Sequence, residues 1–221
     1  MKALAFIFIL LLFSVAAYAV DTTIDIDQVG SNNEITIRQG NGAIEPNTLD
    51  LQIAGDSNTL NLNQSNTPTG DITNSTNGHY QLLAIYGDSN TFVTQQTNAG
   101  GTGEHYMETS IFGNTNNVLQ KQTGNGNKIM LTSIEGNYNT VDAQQNGSGT
   151  HSLNLALSGN GNTTNILQEG SVGHSAVIDL TNAGGPNTLN LTQSSNTTAL
   201  SYSISQSCAN AFGCSVSVTQ Q

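Results

Sequence analysis

One pattern recurs eight times between Thr22 and Gln221: an alternating segment, a glycine, an asparagine three residues on, more alternation, and a glutamine six residues after the asparagine. In its third occurrence it reads Gly87-Asp88-Ser89-Asn90-Thr91-Phe92-Val93-Thr94-Gln95-Gln96. The glycine position is filled in turn by Gly30, Gly55, Gly87, Gly113, Gly136, Gly159, Asn182 and Gln206. Self-similarity at about 23 residues demands a stacked architecture, because one such unit is too small to bury its own apolar face and must lie on a neighbour.

Within a unit the apolar residues recur at every second position. Leu49, Leu51 and Ile53 precede Gly55, and Leu60 and Leu62 follow it, so all five fall on one face of two short strands. Across the units the place two residues before the glycine holds Gln28, Ile53, Ile85, Ile111, Ile134, Leu157, Leu180 and Ile204. Four residues before it stand Ile26, Leu51, Leu83, Thr109, Thr132, Leu155, Ile178 and Tyr202. Between the two strands lies an arc such as Gly136-Asn137-Tyr138-Asn139, built from residue types that tolerate positive φ. Pro46, Pro68 and Pro186 all fall in turns or inserts, as they must if every strand donates to neighbours above and below. Helical spacing is missing, and Asn, Gly, Ser and Thr are poor helix formers. The expected fold is therefore all-β: a β-solenoid of about eight strand-arc-strand rungs forming two facing parallel sheets, over residues 20–221.

The same phase places two amides inward in each unit: Asn33 and Gln39, Asn58 and Gln64, Asn90 and Gln96, Asn116 and Gln122, Asn139 and Gln145, Asn162 and Gln168, Asn187 and Gln193. A buried, unpaired amide costs about 1–3 kcal/mol, whereas identical amides stacked in register can each donate to one neighbour and accept from the other. The sequence thus calls for in-register ladders.

Lys2, the apolar run from Ala3 to Ala16, and Ala17-Tyr18-Ala19 have the form of a secretory signal peptide over residues 1–19, so export and a mature start near Val20 are expected. No other stretch approaches the roughly 20 apolar residues of a membrane-spanning helix. The formal net charge is −11, and beyond residue 19 the only basic side chains are Arg38, Lys121 and Lys128. Such a balance repels phosphate backbones, so nucleic acid is not an expected partner. No nucleophile, histidine and acid share a recognisable catalytic context, and the glycines serve arcs rather than phosphates. Neither an enzyme activity nor a cofactor is expected.

His79, His105, His151 and His174 occupy one phase, eight residues before the glycine, where Thr22, Asn47, Lys128 and Thr198 stand in the other units. Stacked imidazoles there could hydrogen-bond structurally, respond to pH or hold a metal. Cys208 and Cys214 flank the last arc, with a disulfide expected in an exported chain and free thiols the alternative. Longer connections at Gly40–Pro46, Ser65–Gly78 and Thr97–Glu104 would emerge along one edge.

The first unit, Thr22-x-Ile24-x-Ile26-x-Gln28-x-Gly30-x-x-Asn33-x-Ile35-x-Ile37-x-Gln39, resembles the curlin repeat of secreted bacterial curli subunits. The resemblance spans nearly all of the chain beyond the leader. Thr22 stands where that family usually has serine, and the inner amide of Gln28 reads as Ile or Leu in the other seven units. What the resemblance implies is a functional amyloid of the biofilm matrix, exported through an outer-membrane pore, held unfolded by chaperones, and joined end to end on a nucleating subunit. Curlin chains commonly carry about five units, so this one has the form of an elongated relative with a more apolar core. A competing class is a monomeric secreted solenoid, such as an adhesin or an ice-binding protein, which would use an outward threonine row.

Overall fold

A computed structural model describes residues 23–39, 47–65, 78–98, 103–182, 185–208 and 212–221. The predicted leader, Thr22 and most of the three longer connections lie outside the described residues.

Every described element is a strand or a turn, and all pairings are parallel, as the period-two alternation requires. The arms that follow the arcs form one eight-stranded sheet, with one strand per rung from Glu34–Gln39 through Thr59–Ser65, Thr91–Thr97, Asn117–Thr123, Thr140–Asn146, Thr163–Glu169 and Asn187–Ser194 to Cys214–Gln220. The arms that precede the arcs form the facing sheet. In the first six rungs that arm is interrupted, as between Thr48–Asp50 and Ile53–Ala54, whereas Ser175–Asn182 and Ser201–Cys208 run through. The expected two-sheet solenoid is thus the observed fold, with an interruption in the leading arm that alternation alone did not reveal.

The two sheets enclose one continuous apolar core from Leu49 to Leu191, with Ile26, Ile35 and Ile37 packed on it at one end and Tyr202, Ile204, Val216 and Val218 at the other. Burial of such side chains contributes ~1.5–3 kcal/mol each and is the main favourable term. In the middle of the stack the core turns polar and is satisfied locally. Gln81 and Thr94 exchange hydrogen bonds of 2.9 and 3.1 Å, while Gln120 accepts from Thr109 at 2.8 Å and donates to Thr132. The threonines in the column four residues before the arc therefore coincide with a glutamine on the facing sheet.

The arcs need glycine for two reasons, seen best at Gly113. Its φ is +145°, and a Cβ there would lie 1.9 Å from the Gly136 carbonyl oxygen of the next rung. Two residues on, Asn32, Ser57, Ser89, Thr115 and Tyr138 all adopt φ of 57–59°.

One expected register is wrong. Asn182 pairs with Cys208, Leu180 with Gln206, Ile178 with Ile204 and Ala176 with Tyr202. The last arm sits two residues away from the expected phase, so Cys208, not Gln206, holds the glycine position. A slip by two keeps every side chain on its own face, so alternation cannot detect it. In the observed register Tyr202 lies in the column of the small Ala176 rather than on Ile178.

Candidate functional site

The asparagines after the arcs form one column. Each of Asn58, Asn90, Asn116, Asn139 and Asn162 directs its backbone N–H (2.8–2.9 Å) and its Nδ2 (3.1 Å) to Oδ1 of the asparagine one rung nearer the N-terminus. Asn187 continues the series through its backbone N–H, 2.8 Å from Asn162 Oδ1, although its arc is two residues longer. From Asn33 to Asn139 the same Nδ2 also donates forward, at 2.8–2.9 Å, to the carbonyls of Gly55, Gly87, Gly113, Gly136 and Gly159. These amides are saturated, which is why they can be buried.

The glutamine column runs the other way. Nε2 of Gln39, Gln64, Gln96, Gln122, Gln145, Gln168 and Gln193 donates to Oε1 of the next glutamine toward the C-terminus at 2.7–3.0 Å, ending on Gln220. From Gln64 onward each also donates to a carbonyl of the facing sheet, Gln96 to Tyr80 and Gln145 to Ile129 at 2.9 Å. The column therefore ties the two sheets together as well as the rungs.

The histidine column is a third ladder. His79 stacks on His105 at 4.7 Å and His151 on His174 at 5.0 Å between ring centroids. The backbone N–H groups of His105, His174 and Leu200 donate to Nδ1 of His79, His151 and His174 at 3.2–3.3 Å. Nε2 of His105, His151 and His174 faces the carbonyls of Thr97, Asn146 and Glu169 at 2.7–3.1 Å. An Nδ1 that receives a backbone N–H is bare, and an Nε2 that faces a carbonyl carries the proton, so both ring nitrogens of His151 and of His174 are engaged. Burial drives the His105 pKa down to about 3, helped by the charges of neighbouring His79 and Lys128. Burial also lowers His151 to about 4. Lys128 is sealed in the same column, donates to the carbonyls of Gly126, Gly147 and Gly149 at 2.9–3.4 Å, and has its pKa lowered to about 8 by burial. Among the described residues no three of His, Cys, Asp and Glu cluster as metal ligands. The column's last member is Leu200 rather than Thr198, by the same two-residue slip.

Cys208 and Cys214 are joined by a disulfide across the last arc. Cys214 pairs with Asn187 and so replaces asparagine in its column. Two further features escaped the sequence reading. A second glycine column, Gly124, Gly147 and Gly170, turns the chain between rungs with φ of +92° to +134°, and its signal was the same 23-residue recurrence. An exposed ladder links Ser31, Asp56, Asp88, Asn114, Asn137 and Asn160 from backbone N–H to side-chain oxygen, and the Ser31 donors lower the Asp56 pKa.

These features define a class: a parallel β-solenoid held by stacked amide ladders, with an open rung at each end of the described stack. No family model, no curated protein and no solved structure matches the chain. No helix among the described residues is long and apolar enough to cross a membrane.

Proposed function

We propose that this chain is a secreted structural subunit of curli-like fibres, polymerising end to end into an extracellular matrix that serves adhesion and biofilm. One observation carries the reading. Among the described residues no strand pairs with the outer side of Glu34–Gln39 or of Cys214–Gln220. Open strands with unpaired N–H and C=O groups are templates for another chain. Inward Ile24 at the first rung is 44% exposed, while its counterpart Leu49 one rung in is 1% exposed. A nucleating subunit and export chaperones belong to the same proposal.

The competing reading, a monomeric ice-binding or adhesive solenoid, would rest on Thr59, Thr91, Thr140, Thr163 and Thr188, which share one register. Glu34, Asn117 and Ser215 interrupt that row, so the fibre reading is preferred. Incubation of the purified chain should give thioflavin-positive, SDS-resistant filaments with a meridional reflection near ~4.8 Å. A chain that stays monomeric at high concentration refutes the proposal.

A further inference from the structure

The two end rungs differ from the six between them in one inward column. Two residues before the arc the middle rungs carry Ile53, Ile85, Ile111, Ile134, Leu157 and Leu180, while the first carries Gln28 and the last Gln206. Each of these end amides lies beside an aliphatic side chain of its own molecule. Gln206 turns Nε2 back to Asn187 Oδ1 at 3.2 Å, and its Oε1 is shielded from solvent without a hydrogen-bond partner.

A second orphan acceptor sits at the opposite end. Every later Oε1 in the glutamine column accepts from the preceding rung, but Gln39 Oε1 has no partner. At the far end Gln220 Nε2, with no further glutamine to receive it, reaches only the Ser201 carbonyl at 3.3 Å. Each end thus holds a solvent-shielded acceptor that lacks a donor, which a second chain meets only once that side chain turns to the open face, and an amide that can supply a donor to the other end.

We infer that the last rung of one chain seats on the first rung of a second copy in a single register, with Gln28 donating to Gln206 Oε1 and Gln220 donating to Gln39 Oε1. This rests on the fibre reading and specifies its joint. The polarity is that of the ladders inside the molecule, since the glutamine column runs forward across the junction and the new pair runs backward like the asparagines. The same register lays Ile24 on Tyr202, Ile26 on Ile204, Ile35 on Val216 and Ile37 on Val218, so the apolar columns continue. Two columns are broken, where Asn33 meets Cys214 and where Gly30 meets Cys208. A slip by one residue turns every side chain to the wrong face, and a slip by two sets Gln206 on Ile26 or Gly30 and leaves both orphans unpaired.

The test is a double-mutant cycle on fibre growth. Gln28→Leu and Gln206→Leu each leave a single amide facing leucine at the joint and should raise the critical concentration for seeded elongation by roughly 5- to 150-fold. The double variant places leucine on leucine, as in the middle rungs, and should return to within about threefold of the parent chain. Thermal melting of the soluble monomers reports folding separately. If the double variant is as impaired as the two single changes combined, or if neither single change slows growth, the register is wrong while the fibre reading stands. If the parent chain forms no filaments, both fall together.

Discussion

Replacing Gln122 with leucine breaks the glutamine column at mid-height, and the structure sets the size of the effect. Its amide donates to the Tyr106 carbonyl at 2.9 Å and to Gln145 Oε1 at 3.0 Å, and accepts from Gln96 at 2.9 Å. Gln96 stays satisfied by the carbonyls of Tyr80 and His105 at 2.9 and 3.0 Å. Gln145 Oε1 has no substitute donor and becomes a buried orphan. An orphan of this kind costs about 1–3 kcal/mol and each lost hydrogen bond about 0.5–1.5 kcal/mol, with leucine returning part of that through burial. The net is roughly 2–4 kcal/mol, or a fall of about 4–16 °C in Tm for a chain of this length. Gln220→Leu is the control: Gln193 loses one acceptor but keeps the Ser175 carbonyl at 3.1 Å, so about 1 kcal/mol or less is expected. Thermal unfolding of the monomer followed by circular dichroism measures both. Equal melting of the two variants would refute the claim that the ladder supports the stack.

Three further outcomes follow from the geometry. The unfolded chain takes up protons at histidine below about pH 6.5, while burial delays His105 to about 3 and His151 to about 4, so the histidine contribution to stability is level above the unfolded value and lost as pH falls through that window. At pH 5 His105 alone accounts for roughly 2 kcal/mol; denaturant midpoints at neutral and acid pH for the parent chain and His105→Asn should differ accordingly, and a flat profile contradicts the reasoning. Thr115, β-branched at φ 57°, should gain about 1 kcal/mol on replacement by asparagine, the residue at the same arc place in the first rung as Asn32; unchanged or lower Tm counts against it. Reduction of Cys208–Cys214 should release about 2 kcal/mol of loop-closure restraint, speeding amide exchange in Ser201–Cys208 and Cys214–Gln220 but not in Asn117–Thr123.

Much of this molecule is written in its repeat. Alternation at period two assigns Leu49, Leu51, Ile53, Leu60 and Leu62 to one face, and the recurrence of Asn and Gln at fixed phase makes like-on-like stacking the arrangement that pairs the column amides between the end rungs. What the linear pattern could not decide is what depends on a neighbour. Face assignment survives a shift of two residues, so the place of the last arm, and with it the inward position of Gln206, is fixed only by its pairing along Ser175–Asn182. The direction of each ladder, forward for glutamine and backward for asparagine, comes from which carbonyl lies within reach of each Nδ2 or Nε2 once the sheets face each other. Residue identity fixes which groups need partners; only the packed stack fixes which partners they meet, and so which acceptors at its two ends, Gln39 Oε1 and Gln206 Oε1, go unpaired.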